Sequence, residues 1–292
     1  MAIGVFASRL KGGRKNLFFH VILRNPPEYE CSRFETVEKW ALRLARLAQN
    51  KTFNVRFYTD TPPLSDAYAK ILPGTVKVRT LPTPVCLAPS LAKVRPPGRE
   101  GIRIGVMGGV RKEKGGLLLP DIFRLLPGFV DGKRVSIAIQ YRPDQEDLDI
   151  RSVMDGIQKA YGADAGHPAC ILLAGSYSGE EYAELFAGLD LSLLLYTSER
   201  YRASSSGVMI EAIHFATPVI TFADSWMGGV VASALAQGFR IGAAITGLAE
   251  LPGAFRELAG DIARHKRDLT AFADIWRKVH NPDAYFATLL EE

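Results

Sequence analysis

The chain has 292 residues, 47% of them hydrophobic and 23% charged, which suits a globular protein of two domains and excludes disorder and collagen-like repeats. Its formal net charge of +5 is unevenly divided: residues 1–100 hold 17 Lys and Arg against 7 Asp and Glu, and the remainder holds 19 against 24. Three widely separated cysteines, Cys31, Cys86 and Cys170, build neither a disulfide framework nor a cysteine zinc site.

No run of about 20 apolar residues offers a spanning helix, and residues 2–7 are too short and lack the positively charged lead of a signal peptide, so a cytoplasmic location is expected. The basic first part suits an anionic partner: a membrane surface, a phosphorylated substrate or, least of all, nucleic acid, for which no interleaved aromatic signature is present. A basic surface that serves solubility alone is the competing reading.

In chain order, residues 2–6 and 17–23 read as strands, 35–49 as an amphipathic helix and 53–58 as a strand. A short helix follows around 67–71, then a strand over 76–78. Five prolines between residues 81 and 100 (Pro82, Pro84, Pro89, Pro96 and Pro97) disfavour helix and central strand, and the domain boundary is placed there. The division is 1–95, a shortened α/β domain with its linker, and 96–292. About 95 residues are few for a complete nucleotide fold.

Downstream, strand-length apolar runs at 102–106, 135–140, 170–173, 191–195, 218–222 and 239–243 alternate with helical stretches at 117–126, 145–161, 180–189, 206–215 and 227–237. Strands so continuously rich in Leu, Ile and Val predict a doubly wound parallel sheet covered on both faces. In such a sheet ligands bind beyond the carboxyl ends of the strands, which confines the search for chemistry to the loops that open the following helices.

The loop at 108–116 reads GGVRKEKGG. Glycines let backbone approach a ligand, Lys114 supplies a cation, and a helix N-terminus supplies free amides, a combination that suits a phosphate; a solvent-exposed basic turn is the alternative. It lacks the Gly-Lys-Ser or Gly-Lys-Thr of a P-loop. The loop at 175–179 has Tyr177 where a nucleophile elbow needs serine, and reads as a helix-capping turn. The stretch 198–222 places Ser204, Ser205, Ser206 and Gly207 at a helix start, with Glu211 one turn inside, where a carboxylate can accept from a pair of ribose hydroxyls or simply stabilise a capped core helix. Glu211 and His214 form one Glu-x-x-His unit without a second, so no metal site is expected.

Met107-Gly108-Gly109 with Glu113-Lys114-Gly115, and Glu211-Ala212 with Pro218-Val219-Ile220, resemble the C-terminal half of the nucleotide-sugar glycosyltransferases of GT-B type, group 1 or family 4. The resemblance runs from about residue 102 to the C-terminus. It implies an α/β, GT-B-like fold, with a doubly wound donor-binding C-terminal domain and a shortened N-terminal one. It also implies transfer of a sugar, with retention, from a nucleoside diphosphate sugar to a glycan or lipid-linked acceptor. Lys114 would contact the diphosphate and Glu211 the ribose, both as catalytic residues. Gly108, Gly109, Arg111, Ser205, Ser206 and Gly207 would complete the donor site. The donor is a substrate, and neither cofactor nor metal is implied. Gly109 stands where the family carries arginine, which leaves Arg111 or Lys112 to substitute; Ala203 stands at the first glutamate of the family's pair, leaving Glu199 or the serine-rich turn in its role. The basic first part would face the acceptor or the inner membrane leaflet. The alternatives are a non-catalytic nucleotide-sugar binding or partner protein, and a nucleotide-sugar epimerase.

Overall fold

The computed structural model describes residues 3–9, 17–31, 36–49, 54–84, 101–142, 147–161, 168–175, 177–196 and 198–290. The chain divides into two compact units, one of residues 1–84, 199–205 and 279–292, the other of residues 85–198 and 206–278. The proline-rich boundary proposed near residue 95 lies outside the described residues.

In the first unit β1 (Ile3–Arg9) pairs antiparallel with β2 (Leu17–Leu23). The short helix α1 (Pro27–Cys31) and α2 (Val37–Ala48) lead to β3 (Asn54–Thr59), and α3 (Pro62–Ile71) leads to β4 (Val78–Thr80). Strands β2, β3 and β4 run parallel, in the order β1-β2-β3-β4. Thr36 caps α2 by accepting from Lys39 N. Thr61 caps α3 by accepting from Leu64 N at 3.2 Å. That cap, with Pro62 and Pro63 in the first turn, starts α3 well before the residues whose spacing suggested it.

Strand alternation sends Val21, Leu23 and Phe57 to one face, where they pack with Trp40 and Leu44 of α2 and Leu64 and Tyr68 of α3. Ile22 and Tyr58 point to the other face and meet Leu289 and Tyr285 from the last helix, α12 (Pro282–Leu290). The first unit therefore takes its second covering layer from the far end of the chain. Residues 199–205 also belong to it: Ala203 packs against the first of these cores, Thr61 Oγ1 donates to the Ala203 carbonyl, and Ser205 Oγ donates to Asp60 Oδ2 at 2.6 Å.

The second unit opens with β5 (Ile102–Val106), followed by two 3₁₀ turns, α4 (Leu119–Leu125), a hairpin of β6 (Phe129–Val130) and β7 (Lys133–Tyr141), then α5 (Leu148–Ala160) and β8 (Ala169–Ala174). It continues through α6 (Gly179–Ala187) and β9 (Leu191–Leu194), is interrupted by the short α7 (Ser198–Tyr201), most of which is grouped with the first unit, resumes with α8 (Gly207–His214), β10 (Val219–Phe222), α9 (Trp226–Ala236) and β11 (Gly242–Ile245), and closes with α10 (Leu251–Gly260) and α11 (Ile262–Val279). Six strands run parallel in the order β8-β7-β5-β9-β10-β11, with β6 antiparallel to the start of β7. Counted within this unit, that order is the doubly wound 3-2-1-4-5-6. Ile104, Ile137, Ile139, Leu191, Leu193 and Ile220 form the middle of its core.

The last strand begins three residues later than the apolar run 239–243 suggested. Phe239 packs on Phe272, Arg240 N donates to Asp268 Oδ2 at 3.1 Å, and the Arg240 carbonyl accepts from His265 Nδ1 at 2.9 Å, so the backbone there is committed to α11 before the sheet begins. Among the described residues no helix is long and apolar enough to cross a membrane.

A buried histidine and a half-buried one make the first unit sensitive to acid. His20 stacks on Tyr58 with ring centres 5.6 Å apart, and burial, then the charge of Arg56, holds its imidazole below the ordinary value of 6.5. Burial also lowers His280, whose Nδ1 accepts from Thr83 N at 3.1 Å. The unfolded chain protonates both near pH 6.5 and the folded chain only below that, so their contribution is intact above about pH 6.5 and is lost as the pH falls through it. Thermal midpoints should therefore drop between about pH 8 and about pH 5, and His280→Gln, which keeps an acceptor for Thr83, should flatten that slope.

Candidate functional site

The strand order of the second sheet reverses between β5 and β9, two strands whose crossovers leave in opposite directions, and it is beyond the carboxyl ends of such strands that doubly wound sheets hold ligands. Two segments of the second unit meet at that point, residues 107–116 and the chain leaving β9 at residues 195–196. They are brought into contact by Gly115, whose backbone is left-handed at φ +78°: a Cβ there would lie 2.1 Å from the Leu195 carbonyl oxygen. Gly108 makes the second close approach. It is left-handed at φ +83°, and a Cβ on it would meet Val208 Cγ2, in the first turn of α8, at 2.5 Å.

Lys114 ends a single 3₁₀ turn over Lys112–Lys114 and is half-buried. Its Nζ donates to the Gly108 carbonyl at 2.7 Å and lies 5.6 Å from the centre of the Tyr196 ring. Gly108 N in turn donates to Gln140 Oε1, at the end of β7, at 2.7 Å. At α8, Ser206 Oγ accepts from Met209 N at 3.3 Å and caps the helix, Gly207 opens it, and Glu211 follows one turn later. Glu211 Oε2 accepts from Tyr182 Oη at 2.7 Å. Burial raises the Glu211 carboxyl above its ordinary value, while the Tyr182 hydrogen bond and the charge of Lys114 work to keep it ionised. Burial, then Glu211, pushes the Tyr182 phenol up, so it remains a donor.

Lys114 is near enough for its charge to act on Glu211, and Gly108 is in contact with both the lysine and α8. Gly109, also left-handed at φ +76°, continues the turn. The other anticipated residues are differently placed. Arg111 is exposed, with its guanidinium 3.9 Å from Glu113 Oε1, and its carbonyl accepts from Lys114 N and Gly116 N. Lys112 is paired with Asp147 and Asp149 at the start of α5. Ser205 is grouped with the first unit through Asp60, and Ser206 uses its hydroxyl as the helix cap, which leaves the amides at the α8 N-terminus rather than two serine hydroxyls at this end of the sheet.

Gln140, Tyr182 and Tyr196 went unnoticed in the sequence. Gln140 had a signal: it is the one amide in the run from Val135, placed at the strand's carboxyl end. Tyr182 sits in the first turn of α6, which the reciprocal pair Ser178 and Glu181 caps. Its direction toward Glu211 depends on the packing of α6 against α8 and cannot be read locally.

Tyr182→Phe removes the hydrogen bond that opposes the burial of Glu211, so the carboxyl should titrate higher still. An NMR titration of the carboxyl carbon reads this directly, and an unmoved curve would mean that the phenol does not hold the carboxylate.

No protein-family model matches the sequence, and no curated protein matches it. Solved structures do match. HepE of Anabaena, in complex with UDP, aligns over 92% of this chain and 70% of its own at 13% identity, with a TM-score of 0.70. Sucrose-phosphate synthase from Thermosynechococcus elongatus aligns over 93% of this chain and 65% of its own at 15% identity, with a TM-score of 0.61. TarM aligns over 96% of this chain and 51% of its own at 12% identity, with a TM-score of 0.64. The chain spans about half to two-thirds of the length of the latter two. What is shared is architecture: the fold is that of the GT-B glycosyltransferases.

Proposed function

We propose that the protein transfers a sugar from a nucleoside diphosphate sugar to a glycan or lipid-linked acceptor, with the donor held beyond the carboxyl ends of β5 and β9. The observation that carries this reading is the placement of Lys114, whose ammonium lies on the Gly108 carbonyl while Gly108 abuts Val208 at the start of α8, the helix that bears Glu211. HepE, which has a similar fold, is a protein solved with UDP bound. In the proposal Lys114 releases the Gly108 carbonyl to take the donor diphosphate, the free amides at the start of α8 meet its oxygens, and Glu211 accepts from the ribose hydroxyls.

As the bond to the sugar breaks, negative charge accumulates on the leaving diphosphate. A fixed lysine and fixed amides stabilise that charge more in the transition state than in the ground state. Each well-placed donor of this kind is worth about 2.7–4 kcal/mol. The diphosphate charge is met by protein groups, so the proposal includes neither metal nor cofactor. Retention of configuration rests on the resemblance of the two loop motifs.

A second reading, binding of a nucleotide sugar without transfer, is favoured by one observation. Lys112, a candidate to replace the arginine absent at Gly109, is engaged by Asp147 and Asp149. Calorimetric titration with UDP, GDP, ADP and their sugars, run beside a turnover assay, separates the two. Turnover with an acceptor supports transfer, tight binding with no turnover on any acceptor supports the second reading, and acceptor-free conversion of the sugar indicates an epimerase.

Lys114→Ala should weaken binding of the preferred nucleotide roughly tenfold or more, since a charge-assisted contact is lost. Its stability cost should be limited to one hydrogen bond, about 0.5–1.5 kcal/mol. Glu211→Gln should likewise weaken binding. Unchanged dissociation constants in both variants would remove the donor role from these two residues.

A further inference from the structure

Strand β7 pairs with β5 as far as Ile139, which stands opposite Val106, so Gln140 lies at the level where β5 gives way to its loop. Ile137 and Ile139 turn into the core, and strand alternation sends Gln140 to the other face of the sheet together with Ala138. Gln140 is buried, and its Oε1 accepts from Gly108 N at 2.7 Å. An amide side chain taken out of water costs free energy unless it is hydrogen-bonded, and here the partner is a backbone group of the neighbouring loop.

That loop has reason to be held. Gly108 and Gly109 are both left-handed, and two successive glycines leave the backbone more alternative conformations than any other pair of residues. Two side chains restrict Gly108 from its two ends: Gln140 takes the N–H, and Lys114 Nζ donates to the carbonyl at 2.7 Å. A Cβ on Gly108 would stand 2.9 Å from that Nζ and 2.5 Å from Val208 Cγ2, so Gly108 is the point where the lysine, the first turn of α8 and the end of β7 meet. The two bonds differ in what a ligand does to them. In the proposed donor complex the lysine leaves the Gly108 carbonyl for the diphosphate, whereas the bond to Gln140 is kept. It then holds Gly108 in place while the cation changes partner.

We infer that Gln140 is a positioning residue for the donor site: by holding the Gly108 amide it keeps the Gly108–Gly109 turn in the conformation from which Lys114 can pass from a backbone carbonyl to a diphosphate. The inference rests on the donor reading of Lys114, and it requires no contact between Gln140 and the donor. Its first test needs no nucleotide. With the full chain labelled at glycine nitrogen, hydrogen exchange of the Gly108 amide is followed by NMR. Gln140→Met, which keeps the length and removes the acceptor, should speed that exchange roughly tenfold. Gln140→Glu, which keeps an acceptor, should restore the protection. Calorimetric titration with UDP, GDP and ADP reads the consequence for binding: Gln140→Met should weaken the tightest of the three roughly three- to tenfold, while its thermal midpoint falls by no more than about 4 °C. Unchanged exchange at Gly108 in Gln140→Met, no recovery in Gln140→Glu, or an unchanged dissociation constant in Gln140→Met would overturn the inference. Lys114→Ala, titrated alongside, separates this failure from that of the donor reading. If Lys114→Ala weakens binding and Gln140→Met does not, the positioning role alone falls; if neither does, or if none of the three nucleotides binds, the donor reading falls with it.

Discussion

Gly115 has no side chain, and the space one would fill holds the Leu195 carbonyl. That close passage of backbone against backbone sets the distance between the loop leaving β5 and the loop leaving β9, and the candidate site depends on it. Lys114 precedes the contact by one residue, and Tyr196, beneath the lysine's ammonium, follows it by one. Gly108 repeats the device against Val208, which ties the same loop to the helix bearing Glu211. Two adjoining glycine contacts thus bring a cation on the loop leaving β5 and an acid on α8 to the same end of the sheet. Any larger residue at 115 would separate the two loops.

The acid is held between opposing influences. Burial favours its neutral form, whereas the Tyr182 hydroxyl and the Lys114 ammonium favour the anion. A carboxylate in that position exchanges partners readily, because hydroxyls arriving from a ligand replace one donor with others and exclude water as they do so. The lysine also has a partner that a ligand could replace, the backbone carbonyl of Gly108 in its own loop.

The second unit was largely legible in the sequence because its signals are local. Buried parallel strands are continuous runs of Leu, Ile and Val, and each helix has a cap and a periodic apolar face, so residues such as Ile104, Ile137 and Leu193 announce the sheet without knowledge of their partners. Lys114 and Glu211 could be selected because a parallel sheet places its ligand-facing loops at one edge. What was not legible depends on contacts far apart in sequence. Nothing near Ser205 and Ser206 distinguishes two adjacent serines, yet one bonds to Asp60 and the other caps α8. The apolar run at residue 239 resembles a strand until Asp268 and His265 claim the backbone of Arg240. Nor does the sequence show locally that residues 199–205 and 279–292 group with the first unit.

That last point bears on how the protein is made. The sheet formed by β1 to β4 presents Ile22 and Tyr58 on a face where Leu81, Leu289 and Tyr285 pack on them. During synthesis these side chains emerge before the second unit and lack Tyr285 and Leu289 until that unit has been made. The second unit, contiguous apart from one short excursion, has all its strands and core helices available sooner. Maturation therefore runs against the order of translation: the lobe synthesised first is the last to be sealed, and in the interval its unfinished sheet is the part of the nascent chain most in need of shielding from aggregation.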